Sequence, residues 1–136
     1  MGSFTDYLEN ALLDHVFGTG SGQANAYTQP AKYIALCTVA VTDTGTGSTI
    51  TEPSSPSYAR VVMGTWDKAS AGATENTNDV LFAQATASFG TILDFAICDA
   101  ITTGNVLAYG SLTISKSVAS GDTPKFATGD LDVTLT

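Results

Sequence analysis

His15 is the only histidine of the chain, Arg60 the only arginine, and Cys37 and Cys98 the only cysteines, so acid–base, thiol or anion-binding chemistry has few side chains to run through. A histidine base needs a nucleophile within hydrogen-bond reach and an orienting carboxylate. Asp14 is adjacent in sequence but points about 100° away on a helix, so His15 reads as a helix residue at the edge of a packed face. Cys37 and Cys98 each sit in an apolar, strand-like stretch and read as buried free thiols; a disulfide between neighbouring strands stays open at this stage. No Cys-x-x-Cys and no Cys/His cluster supports redox chemistry or zinc. Asp122, Asp130 and Asp132 offer oxygen to calcium, yet nothing resembles a calcium-binding loop, and outer-face carboxylates are the better reading. Gly18-Thr19-Gly20-Ser21-Gly22 follows a helix signal instead of a strand and lacks a terminal lysine, so it reads as a linker and not a phosphate cradle. Tyr27, Tyr58, Trp66 and Phe89 form either a sugar-binding shelf or, in preference, core and subunit contacts. Arg60, beside Tyr58, reads as a structural ion pair or interface anchor. No catalytic, cofactor or metal residue is assigned, and the chain is expected not to be an enzyme.

The elements that would carry these residues are mostly strands. Phe4, Leu8, Ala11, Leu12, His15 and Val16 keep the three-four spacing of one helix face, which predicts an amphipathic helix over about residues 3–17. Ser3 is expected to cap it, with Asp6 three positions on as a capping-box partner, and Gly18 to end it. The apolar stripe must be buried on the chain's own sheet or on a neighbouring subunit. Beyond it, Lys32-Tyr33-Ile34-Ala35-Leu36-Cys37-Thr38-Val39 is apolar on both faces, as in a strand between layers. Residues 42–57 hold Gly45, Gly47, Pro53 and Pro56 and read as a long surface loop. Strands are expected at residues 58–63, 80–82, 88–97, 106–115, 125–127 and 131–135, with Phe89, Thr91, Leu93, Phe95 and Ile97 on one face, and residues 67–79 are read as polar and irregular. The run 106–115 pairs with its predecessor as a hairpin. Together these predict a mainly β chain: one antiparallel, jelly-roll-like β-sandwich domain over residues 1–136 with an N-terminal helix.

Composition narrows the partners. At 136 residues, one domain with a sizeable core is expected. Charged residues make up only 13%, and thirteen acidic against five basic residues give a net charge of −8. That balance disfavours nucleic acid and anionic membranes as partners. No apolar run approaches the ~20 residues of a membrane span, and no basic region marks a secretory signal.

Several phrases act as a set: Leu8-Glu9-Asn10-Ala11-Leu12-Leu13-Asp14-His15-Val16-Phe17-Gly18, Tyr33-Ile34-Ala35-Leu36-Cys37-Thr38, Tyr58-Ala59-Arg60, Phe89-Gly90-Thr91-Ile92, Gly104-Asn105-Val106-Leu107-Ala108-Tyr109-Gly110 and Thr128-Gly129-Asp130-Leu131-Asp132-Val133. In their order along nearly the whole chain they resemble a family of small virion proteins of tailed phages, labelled tail-fibre or head-decoration proteins. The resemblance implies a structural virion component made in the host cytoplasm, oligomeric and expected to be a homotrimer. The chain lacks repeats and coiled-coil heptads and is short for a fibre shaft, so the expected role is capsid decoration: a cement protein on the capsid surface, bound to the major capsid protein between capsomers. The alternative is a tail-fibre, tail-tip or baseplate adaptor that meets other tail proteins or a host surface glycan. On either reading Phe4, Leu8, Leu12, Val16, Tyr58, Arg60 and Trp66 are the expected interface residues, with residues 42–57 and the helix as the contact elements.

Overall fold

A computed structural model describes residues 3–18 and 28–135; most of the expected glycine linker therefore lies outside the described residues. Strand β1 (Ser3–Phe4) leads into helix α1 (Asp6–Phe17), followed by β2 (Lys32–Cys37), β3 (Val61–Met63), β4 (Ala73–Glu75), β5 (Val80–Leu81), β6 (Gly90–Cys98), β7 (Val106–Val118), β8 (Lys125–Phe126) and β9 (Asp132–Thr134). Five strands form one antiparallel sheet in the order β1-β7-β6-β2-β3, and two antiparallel ribbons, β4-β9 and β5-β8, accompany it. The chain is thus mainly β and antiparallel with one helix near its N-terminus, as its strand-rich sequence predicts.

The central strands alternate as a two-sided sheet requires. Ile34 and Leu36 of β2 join Ile97 of β6 in the larger core, together with Val80, Phe82, Phe89, Leu131 and Leu8 of the helix. Ala35 and Cys37 point the other way, joining Ala96, Cys98, Val106 and Val41 in a smaller core. The expected single face for Phe89, Thr91, Leu93, Phe95 and Ile97 is corrected by an irregularity opposite Leu93. Asp94 pairs with Ser111 and Ile92 with Lys116, so one residue of β6 faces four of β7. An unequal count of this kind shifts the side-chain parity of a strand. Ile92 thereby shares a core with Ile97, whereas Thr91 and Leu93 turn outward.

The start of the helix is also corrected. Ser3 lies in β1, opposite Tyr109 of β7, and its hydroxyl donates to the Phe4 carbonyl at 3.0 Å. Thr5 occupies the N-cap position without a side-chain cap. Its hydroxyl instead donates to the Val106 carbonyl and its N–H to the Leu107 carbonyl. The root of the helix is therefore tied to β7 rather than capped in the expected way. Residues 67–79 depart from expectation as well, because they contain β4, and the fully buried Asn76 beside it bridges to Asn78, Ala127 and Leu131 at 2.8–2.9 Å.

The loop of residues 42–57 is fastened to the sheet by Arg60, which retains only 5% of its exposure. Its Nε and Nη2 donate to the Glu52 carboxylate at 2.7–3.2 Å, Nη1 to the Ala100 and Thr103 carbonyls at 2.8 Å, and Nη2 also to the Gly47 carbonyl at 2.7 Å. Tyr58 donates to Glu52 at 2.7 Å and accepts the Leu36 N–H at 3.0 Å. Loop and β6–β7 turn then meet so closely that a Cβ on Gly47 would overlap the Thr103 carbonyl. Thr103, at φ +51°, and Gly104, at φ +74°, are the left-handed residues of that turn, which Asp99 closes by accepting the Asn105 N–H at 2.7 Å and its side-chain amide at 2.8 Å.

Cys37 and Cys98 are free and buried. Cys37 faces Asp94, so Cys98 lies four positions further along β6, about 13 Å away at ~3.3 Å per residue and beyond the reach of a disulfide. Burial, the largest cause in both, pushes the Cys37 thiol up to about 12 and Cys98 up to about 11.

Two predictions follow from this packing. Replacing Arg60 with Met leaves the half-buried Glu52 and the loop carbonyls without their donor, an effect of up to about 3–5 kcal/mol, and thermal denaturation should show a Tm lower by several degrees or more; an unchanged Tm would contradict the role given to the ion pair. A thiol raised in the folded state stays neutral there while the unfolded chain ionises above its ordinary pKa of about 8.5. The thiols' contribution is therefore complete below that pH and is lost as pH rises towards 11–12. Calorimetric Tm should fall above about pH 9, and a disulfide-exchange reagent at pH 8 should react with neither thiol until the chain is unfolded; prompt reaction of the native protein would be the opposite result.

Candidate functional site

The seven residues expected at an interface do not share one surface. Leu8 is buried in the larger core, and Phe4, Leu12, Tyr58 and Trp66 are partly buried against it. Tyr58 stacks on Phe82 with ring centroids 6.3 Å apart and meets Phe89 edge-on at 5.5 Å. Burial, reinforced by its bond to Glu52, raises its hydroxyl pKa, so Tyr58 acts as a neutral donor. Tyr58, Arg60 and Leu8 make their contacts within the chain itself, and the physical reason is visible in the ion pair and the aromatic cluster they complete. The aromatic shelf does not form from Tyr58 and Phe89 for the same reason; Tyr27 lies outside the described residues. Of the seven, Val16 is the one turned fully to solvent, at 66% exposure.

Val16 has company that the expected stripe did not include. Leu13 is 57% and Phe17 75% exposed. Residues 13, 16 and 17 keep the three-four spacing of a second apolar strip, and that spacing is the signal by which it can be read from sequence. The helix is held to the sheet by Thr5 and Leu8 and packs more loosely at Leu12, while Leu13, Val16 and Phe17 lie off that packed face. Its last turn projects, closing with the Gly18 N–H on the Asp14 carbonyl at 2.8 Å. His15 is exposed on the same helix.

Two open grooves flank the sheet. One, of about 600 Å³, has a floor of Leu36, Ile92, Phe95 and Phe126 and runs beside residues 111–118 of β7. The other, of about 450 Å³, lies at the root of the helix between Phe4, Leu8, Trp66 and Val133. The Trp66 indole Nε1 is buried without a hydrogen-bond partner.

Several carboxylates are committed to structure. Asp94 accepts the Val41 N–H at 2.7 Å, Asp122 the Ala119 N–H at 2.8 Å, and Asp130 the Ala127 N–H at 2.7 Å. Asp79 is held below the usual carboxylate range, first by its bond to Lys125 and then by Thr128. Among the described residues no group of three or more His, Cys, Asp or Glu converges as a metal set. What the arrangement offers is apolar side chains and apolar grooves that water leaves on contact.

Comparison with known proteins agrees with this character. No curated protein matches the chain. The family described as podophage GP4 fiber I protein gp80 matches it over residues 3–134, nearly its entire length. Matched over residues 3–134, the chain belongs to the podophage GP4 fiber I protein gp80 family and is a phage structural protein.

Proposed function

We propose that this chain works by assembly, as a subunit of the podophage tail-fibre apparatus, and that it performs no catalysis and carries no cofactor. The single observation that carries the assembly reading is the projecting end of α1, where Leu13, Val16 and Phe17 stand 57–75% exposed on a chain of few charges. Isolated exposed apolar residues are ordinary, but a contiguous apolar strip marks a surface that another chain covers. The engagement of Asp94, Asp99, Asp122, Asp130 and Glu52 in structural bonds supports the absence of catalysis, because an acid or base has to be available to a substrate.

The description of the family as a fibre protein supports the tail over the capsid surface, so the alternative of the two roles read from sequence is the one proposed here. In this role the chain forms a homo-oligomer, with three copies as the proposed number, and contacts other tail proteins. Its stiffness comes from the bound loop and its adhesion from the helix. A stable contact removes ~1,200–2,000 Å² in total from water, which three or four helix side chains and a groove supply in part and repetition around an axis multiplies.

Labelling of a C-terminally tagged chain in purified virions tests the location. Label on tails, and loss of the tail fibres but not of filled heads in phage lacking the chain, is the expected result. Label spread over heads in a fixed number per capsomer would overturn the tail reading in favour of capsid decoration.

A further inference from the structure

The exposed apolar end of α1 and the larger groove are complementary, and they lie apart on the chain. α1 is rooted at the start of β7, where the Thr5 N–H donates to the Leu107 carbonyl. The larger groove runs along the other end of β7, and no residue of the helix lines it. We propose that the helix end of one copy, Leu13, Val16 and Phe17, seats in the groove beside β7 of a second copy. The proposal rests on the homo-oligomer part of the function proposed above and names the contact that builds it.

Shape and chemistry both point to this occupant. Residues 112–115 of β7 face Leu93 alone, so this stretch leaves the regular ladder and forms one wall of the groove. Bulges of this kind re-aim side chains, and here Ile114 stands 70% exposed at the wall above the apolar floor. The volume of about 600 Å³ admits side chains of the size of Phe and Val. Charge agrees as well. Near its projecting end the helix carries Asp14, beside His15 of the last turn, and its C-terminal carbonyls add a partial negative charge there. At the groove, Lys125 is held by Asp79 at 3.1 Å, whereas Lys116 has no ion pair among the described residues. Asp122 and Asp130, on the same rim, each accept a backbone N–H of their own turn. Lys116 is therefore the cation that meets Asp14 and the helix end. A contact between two different patches is heterologous, and such contacts close into rings when the rotation permits.

The test uses the full chain. In a double variant, Phe17→Cys with Ile114→Cys, mild oxidation should give a ladder of covalent species on a non-reducing gel that stops at the ring number, and a mixture of the two single variants should give cross-linked pairs. The native thiols are buried and do not take part. Phe17→Asp, at an exposed position, should keep the wild-type circular dichroism and weaken association at least tenfold in sedimentation equilibrium. Lys116→Glu should weaken it too, with recovery when combined with Asp14→Lys. A wild-type oligomer that yields no cross-link and ignores Phe17→Asp would overturn this contact while leaving the homo-oligomer intact. A wild type that stays monomeric at high concentration would overturn both. Cross-linking of Phe17→Cys to itself, without Ile114→Cys, would replace the head-to-groove contact with a two-fold one.

Discussion

The long loop of residues 42–57 and the β6–β7 turn are tied together by one guanidinium. Arg60 is buried, and its donors reach Glu52, Gly47, Ala100 and Thr103. Two residues of the long loop and two of the β6–β7 turn therefore meet at one planar group. The constraint behind this is the backbone: a long loop laid against a sheet carries carbonyls that need partners once water is gone, and arginine offers five donors in a fixed fork. Glu52 supplies the opposite charge, without which a buried cation would be untenable. A pair of this kind is weak evidence for net stability, but it permits one arrangement of loop and turn and penalises others. The close approach at Gly47 and the left-handed turn at Gly104 are consequences of that arrangement.

The rigidity has a functional counterpart. With the loop fastened on one face of the sheet and the ribbons on the other, the end of the helix keeps three large apolar side chains exposed together. Its root is held by Thr5 and Leu8, while its last turn is not packed on the chain's own core. A structural protein that assembles in many copies benefits from such a division, since a stiff body transmits load and a small apolar projection supplies contact. The family match, spanning residues 3–134, covers body and projection together.

Much of this was legible in the sequence, and the failures have physical causes. β2, β6 and β7 are readable because their apolar runs are long, and Gly104 marks the turn between the last two. Glu52 is not readable as the partner of Arg60, since the two are joined across a loop whose path no local pattern encodes. Ser3 and Asp6 carry a capping-box spacing, yet pairing of β1 with β7 places Ser3 in a strand, a case of tertiary contacts overriding a local signal. β4 is three residues of modest strand propensity, and its neighbour Asn76 looks like loop chemistry until it is seen buried with all its bonds made. The irregularity at Leu93 defeats any strict alternation. Leu13 and Phe17 fall outside a reading that gives the helix one buried stripe, because that stripe is buried at Leu8, partly buried at Leu12 and exposed at Val16.

The most direct measurement is an electron cryomicroscopy map of the intact virion at side-chain resolution. The account predicts this fold in the tail, with Leu13, Val16 and Phe17 of every copy covered by another chain. A map in which the helix end stands bare to solvent in the assembled particle would contradict it.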